Sequence, residues 1–152
     1  MTETRAQTLR FQGAANAVTQ SLLRVPLLNR VVGRRLIVID VVGRTSGKVY
    51  RVPVAYTRHG GDLLVGTPFP WGRNLRTGEP VTVLLKGRRM TADVVVFTDE
   101  ADVVKAYEIM ARDNRQFAGF NKVGLDEHGV PDPDDLHLAW QAGARAFRLT
   151  PR

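Results

Sequence analysis

The sequence has no cysteine and only three histidines among its 152 residues. Without cysteine, the chain forms no disulfide bond, has no thiolate nucleophile and offers no cysteine ligand to zinc. The histidines, His59, His128 and His137, are far apart and match none of the spacings that zinc sites use. The composition therefore predicts no metal centre and gives no sign of an oxidising compartment.

Long apolar runs are also missing. The apolar stretch of residues 22–28 is interrupted by Arg24 and Pro26, so the sequence predicts neither a secretory signal nor a membrane-spanning helix. We therefore expect a cytoplasmic protein. At this length the chain fits one domain, residues 1–152, without internal repeats or low-complexity segments.

Acidic residues are the minority among the charged side chains. There are 22 Lys and Arg against 15 Asp and Glu, which gives a net charge of +7 at pH 7. Such a balance favours an anionic small molecule, an anionic membrane surface or nucleic acid as partner. Nucleic acid is the least favoured of the three, because the cations are scattered rather than gathered in one stripe with interleaved aromatics.

The first 33 residues carry apolar side chains mostly at helical spacing, with arginines as their cationic complement. This pattern predicts an N-terminal helical segment, residues 1–33, with a helix to about Arg24 that Pro26 ends. We expect its apolar face to pack on the rest of the domain or on the second subunit of a homodimer. A basic amphipathic helix that lies on anionic lipid has the same pattern.

From Arg35 onward the sequence consists largely of runs rich in β-branched residues, separated by glycine. We predict six strands, five within residues 35–97 and the last over residues 143–150. The connections 43–48 and 59–62 are short and contain glycine, which favours hairpins and antiparallel pairing in a small barrel.

Residues 99–142 are predicted to be helical. Thr98 or Asp99 is the expected N-cap of a first helix, because acids and then apolar residues at helical spacing follow. A second short helix is expected over residues 115–121, and Asp134 or Asp135 is expected to cap a third. The predicted fold class is α+β, with helices packed around the barrel.

A candidate anion site is the turn 43–48, with the sequence GRTSGK. Its glycines permit positive φ, its N–H groups can form a nest, and Arg44, Lys48 and two hydroxyls supply charge-assisted hydrogen bonds. The spacing is not that of a Walker A motif, and a strand follows instead of a helix. A plain hairpin tip with solvated cations has the same pattern, and both interpretations stay open.

A second candidate is the loop TPFPWGRNL, residues 67–75. Its prolines stiffen the backbone, which favours Phe69 and Trp71 as a wall for a planar ring. Alternatively, Trp71 and Leu75, four residues apart, form the buried face of one helical turn that caps the barrel.

Together the two motifs resemble those of the deazaflavin (coenzyme F420)-dependent reductases and nitroreductases, whose fold is a split β-barrel related to that of FMN-binding proteins. The similarity covers about residues 35–97. The matching residues are Gly43, Arg44, Ser46, Gly47, Lys48, Pro53 and Asp62, followed by Trp71, Asn74, Leu75, Pro80, Val81 and Val83. The resemblance implies a six-stranded antiparallel split β-barrel that binds F420.

The resemblance also implies which residues hold the cofactor. The first motif would bind its phosphate and acidic tail, and the loop around the tryptophan would lie beside its ring. The tail-side residues are Arg44, Ser46, Gly47, Lys48 and Pro53. The ring-side residues are Thr67, Trp71, Asn74 and Leu75. The chain departs from the family pattern at Thr45 and Tyr50, where the family has lysine and arginine, and in the shorter segment 68–70.

In such proteins reduced F420 passes a hydride to an electron-poor acceptor, here a quinone, nitro compound or enone. Tyr56 and Thr67 are the candidate catalytic hydroxyl donors by position. Two other classes of protein fit the sequence. One is a module that binds deazaflavin, FMN or haem without turnover, and the other is a basic domain that associates with a membrane or nucleic acid.

Overall fold

The computed structural model describes residues 35–152, so the helix predicted within residues 1–33 lies outside the described residues. The described chain forms an antiparallel sheet, three α-helices and one 3₁₀ helix, Pro70–Asn74. The strands are β1 (Leu36–Val42), β2 (Val49–Ala55), β3 (Thr57–His59), β4 (Asp62–Thr67), β5 (Val81–Leu85), β6 (Arg88–Phe97) and β7 (Arg145–Pro151). The helices are α1 (Glu100–Asp113), α2 (Arg115–Phe120) and α3 (Pro133–Gln141). None of these helices combines the length and the apolar character needed to cross a bilayer.

The sheet is curled into a half-barrel with the strand order β2-β1-β5-β6-β7-β4-β3. The prediction of six strands was wrong, because residues 49–59 form two strands instead of one. β2 pairs with β1 and β3 pairs with β4, so the two strands lie at opposite edges of the sheet. Between them the Tyr56 amide donates a hydrogen bond to the Arg35 carbonyl at 2.8 Å. One continuous segment therefore forms both edges.

The concave side of the sheet encloses the main hydrophobic core. In β1, the alternate residues Ile37, Ile39 and Val41 are fully buried, as expected for a strand that presents one face to a core. Phe147 and Leu149 of the last strand pack into the same cluster. The alternation along each strand therefore sets which face of the sheet turns inward.

A second core lies on the opposite side of β4 and β7, where α1 covers the sheet. Tyr107 of α1 is fully buried there, and burial raises the pKa of its phenol well above the usual range. Gly66 of β4 faces this ring. A Cβ at Gly66 would lie only 2.6 Å from a Tyr107 ring carbon, so the absence of a side chain lets the helix approach the strand.

The helix caps agree in part with the sequence predictions. Asp99 is the N-cap of α1, as one of the two predicted alternatives has it. The cap of α3 is Asp132, not Asp134 or Asp135, because its carboxylate accepts from the backbone N–H groups of both later residues. Pro133 then occupies the first turn, where its missing N–H has no cost. The helix therefore starts earlier than predicted.

We expect Gly66→Ala to lower the free energy of unfolding by about 1–3 kcal/mol, the usual cost of overpacking a dense core. Urea denaturation followed by circular dichroism measures it. Gly119→Ala is the matched control, because Gly119 is helical and a Cβ there has open space. That control is expected to be neutral or stabilising. Equal stability of the Gly66 variant and the parent would contradict the close packing of Tyr107 on β4.

Candidate functional site

The turn 43–48 connects β1 to β2 and is ordered by its own backbone. The Gly43 amide donates to the Lys48 carbonyl at 2.8 Å, and the Gly47 amide donates to the Gly43 carbonyl at 2.9 Å. Gly47 has φ +69°, a conformation that glycine adopts without strain. The Ser46 hydroxyl accepts from the Lys48 amide at 3.2 Å. Ser46 and Gly47 therefore shape the turn itself.

The two cations of this turn are exposed. Within residues 35–152, no carboxylate pairs with Arg44 or Lys48. Arg51 of the following strand behaves differently, since its guanidinium lies 3.9 Å from the Asp40 carboxylate. Arg89 also binds Asp40, at 2.9 Å. Among the described residues, the turn thus presents two positive charges without a carboxylate partner, while the next arginine along the chain is paired on the sheet.

Trp71 lies in the 3₁₀ helix and packs into the main core. It is 5% exposed, Leu75 is 4% exposed, and the indole stacks on Phe147 with ring centroids 6.2 Å apart. Both side chains are therefore buried, as the helical-turn interpretation expects, but Leu75 is the extended C-cap that follows the 3₁₀ helix rather than part of it. The indole Nε1 is buried and has no hydrogen-bond acceptor among the described residues.

The Asn74 side chain connects the two sequence motifs. Its Oδ1 accepts a hydrogen bond from the Arg44 amide at 3.3 Å, and its Nδ2 donates to the Trp71 carbonyl at 3.0 Å. One carboxamide therefore bridges the cationic turn and the tryptophan loop. Beside this bridge is a polar cleft of about 260 Å³, lined in part by Asn74, Leu75 and two valines that flank the turn, Val42 and Val49.

A cavity that we call the main cavity has a volume of about 330 Å³. One wall is β2 at residues 52–55, and a second is the end of β4 with the loop after it. The third wall is α2 with its flanking residues. The remaining lining residues are Gly66, Thr67, Phe69, Trp71, Asn114, Gln116, Phe117, Phe120 and Asn121. None of the described residues that line it carries an ionisable side chain, so this lining is uncharged.

The structure brings three predicted site residues, Pro53, Thr67 and Trp71, into the main cavity. Pro53 is tolerated in β2 because this strand lies at the sheet edge, where a missing N–H need not break a ladder. Thr67 is buried, and its Oγ1 accepts from the Phe69 amide at 3.0 Å. Tyr56 does not line this cavity. It lies in a separate small cleft beside Arg35.

The sequence analysis missed the contribution of α2 to the main cavity. Phe120 is 65% exposed, and its ring meets that of Phe69 edge-to-face, with centroids 5.9 Å apart. The two rings therefore form an aromatic rim. Asn114 caps α2 by accepting from two backbone amides, and Asn121 closes its end by donating to the Phe117 carbonyl at 2.9 Å. The signal available in the sequence was an aromatic residue, Phe120, close to the amide side chains of Gln116 and Asn121 in a short predicted helix.

Comparison with known proteins identifies the fold. No protein-family model matches the sequence, and no curated protein does. The structure resembles that of a conserved hypothetical protein from Mycobacterium tuberculosis, with a TM-score of 0.52 and 12% identity over 84% of this chain and 79% of that one. It also resembles a pyridoxamine 5'-phosphate oxidase-related, FMN-binding protein from Nostoc punctiforme, with a TM-score of 0.50 and 15% identity over 91% of this chain and 80% of that one. The structural likeness shows a shared split-barrel fold, and at identities this low it shows the fold alone.

We expect Asn74→Ala to uncouple the turn from the tryptophan loop. Because two hydrogen bonds are lost, the free energy of unfolding should fall by about 1–2 kcal/mol. Hydrogen exchange at the Arg44 amide should accelerate as well. Asn74→Asp is the matched variant, since it keeps the acceptor and removes only the donor to Trp71. It should retain the protection of the Arg44 amide, and equal exchange in both variants would contradict the bridge.

Proposed function

We propose that this protein is an oxidoreductase that binds a flavin-type cofactor, with F420 as the first candidate and FMN as the alternative. The observation that carries the proposal is the Asn74 bridge. It holds the turn, whose cations have no carboxylate partner among the described residues, beside the loop that lines the main cavity. The motif resemblance supports F420. The FMN-binding description of the Nostoc protein supports FMN.

The described residues fit such a cofactor in shape and charge. A cavity of about 330 Å³ is within the range of about 300–1,000 Å³ usual for small-molecule sites. Its uncharged walls and aromatic rim suit a planar ring, whereas Arg44 and Lys48 suit a phosphate or an acidic tail. Haem is less well supported, because the described residues of the lining include no His, Tyr or Met to bind iron.

In the proposed reaction a bound flavin or deazaflavin supplies hydride chemistry. The chain's own residues orient the ring, exclude water and polarise the acceptor. Phe69 and Phe120 both line the main cavity and contact each other edge-to-face. The Thr67 oxygen already accepts from the Phe69 amide, so its hydroxyl hydrogen is left to donate into the cavity. Thr67 would therefore polarise an acceptor oxygen rather than ionise.

The absence of charge in the main cavity favours an uncharged reducible group, such as a quinone, nitro compound or enone. Bringing an ionised group into an apolar site without a partner costs several kcal/mol. Tyr56 remains a predicted proton donor, but its place outside this lining makes Thr67 the better candidate. Binding without turnover is the second function that the same site allows.

Titration of the full-length protein with F420, FMN and haem tests the cofactor directly. We expect a visible-spectrum change or fluorescence quenching, with F420 bound most tightly. Tighter binding of FMN would replace F420 with the alternative cofactor. No binding of any of the three at high micromolar concentration would refute the proposed function.

Arg44→Ala and Lys48→Ala should each weaken cofactor binding by about 1–3 kcal/mol, because each removes one charge-assisted hydrogen bond to an anion. Added salt should also weaken binding to the parent protein. Lys105→Ala removes an exposed cation of α1 and is the charge-matched control. If all three variants bind alike, the turn 43–48 is only a hairpin tip.

Thr67→Val should lower the rate of quinone reduction about ten-fold or more, because it removes the hydroxyl at nearly constant volume. Thr67→Ser keeps the hydroxyl and should stay within a few-fold of the parent. Stopped-flow oxidation of the reduced cofactor by menadione measures both rates. Cofactor affinity, measured in both variants, separates an effect on binding from an effect on the rate of reduction. Equal rates in the two variants would exclude a role for this hydroxyl.

A further inference from the structure

A second concentration of positive charge surrounds a small cleft on the described chain. The cleft has a volume of about 160 Å³ and is lined by Arg35, Tyr56, Arg58, Lys86 and Asp113. We call it the basic cleft. It shares no lining residue with the main cavity. It also lies at the end of β2 away from the turn 43–48, because Tyr56 follows the last residue of that strand.

The one carboxylate of the basic cleft is already committed to other partners. Asp113 forms an ion pair with Arg35 and accepts a hydrogen bond from the Thr57 hydroxyl at 2.8 Å. Within residues 35–152, no carboxylate pairs with Arg58 or Lys86. The cleft therefore holds two cations whose charge is not neutralised by the described chain.

Both of these cations are attached to rigid parts of the sheet. Arg58 belongs to β3, and its guanidinium carbon lies 5.8 Å from the centre of the Tyr56 ring, within range of a cation–π contact. Lys86 occupies the two-residue turn between β5 and β6, where Lys86 has φ +50° and Gly87 has φ +78°. Such a turn holds the lysine backbone in one conformation.

We propose that the basic cleft is an anion site that binds a phosphate or carboxylate group through Arg58 and Lys86. Guanidinium and ammonium groups bind these anions through charge-assisted hydrogen bonds, and a cleft of this size holds a single such group. The proposal does not depend on a flavin in the main cavity. With the turn 43–48, the basic cleft would give this protein of net charge +7 two separate sites for anions.

The turn that carries Lys86 permits a variant in which stability and binding separate. Asparagine is favoured over lysine at positive φ, so Lys86→Asn should fold at least as well as the parent while it loses anion affinity. Lys122→Asn is the matched control. Lys122 is exposed, has φ +58° and lies outside the basic cleft. Each substitution thus removes one positive charge at a residue whose backbone is in the left-handed conformation.

The experiment is a titration of the ¹⁵N-labelled full chain with inorganic phosphate at constant ionic strength, followed by NMR. We expect the amide resonances of residues 56–58 and 86–88 to shift. Lys86→Asn and Arg58→Gln should weaken this binding about five-fold or more, and Lys86→Asn should do so without a lower melting temperature. Lys122→Asn should bind like the parent. Benzoate and its uncharged counterpart benzamide distinguish the acid group of a larger molecule from a free phosphate ion.

Shifts with phosphate alone would assign the cleft to phosphate, and shifts with benzoate but not with benzamide would extend it to carboxylates on organic ligands. Shifts confined to residues 43–48 would overturn the proposal, because the anion would then bind only at the turn. Equal affinity of the Lys86 and Lys122 variants would overturn it too, since the effect would be one of overall charge. An equal response to benzoate and benzamide, without a response to phosphate, would show that charge is not recognised.

Discussion

The arrangement of the described chain depends on the path of the backbone through Tyr56. Before this residue the chain forms β2, which pairs with β1. After it the chain forms β3, which pairs with β4 at the other edge of the sheet. Because a single segment must supply both edges, the sheet cannot lie flat and has to curl. The hydrogen bond from the Tyr56 amide to the Arg35 carbonyl fixes the crossing point. The positions of the main cavity and the basic cleft follow from this curl.

Within residues 35–152, the outer edge of β2 has no strand partner, and the main cavity lies along this strand. Helix α2 and the loop after β4 cover part of that edge instead, and a helix and a loop fill the space less completely than a paired strand. Asn74 and the buried Trp71 hold the loop in place. The cations remain outside on flexible side chains at the turn. Strand β2 therefore has the cationic turn 43–48 at one end and lines the uncharged main cavity at residues 52–55.

Sequence pattern was sufficient for the features that local chemistry determines. Glycine-bearing turns and β-branched runs predicted the hairpins, and the spacing of Trp71 and Leu75 indicated a buried helical turn. The break at Tyr56 was not predictable in this way, because residues on both sides have strand-like composition and only long-range pairing separates them. The cap at Asp132 was missed among neighbouring acids of equal propensity. The placement of Tyr56 outside the main cavity, and of α2 beside it, depends on tertiary packing that no local pattern encodes.

The last strand of the chain, β7, lies inside the sheet between β6 and β4. Its pairing of Leu63 with Leu149 joins residues 86 positions apart (149 − 63 = 86). During synthesis on the ribosome, β4 and β6 therefore acquire their second neighbour only after β7 has been made. Until then both strands expose unpaired backbone, which is a template for association between nascent chains. The central pairing of this sheet therefore forms only after all seven described strands have been synthesised.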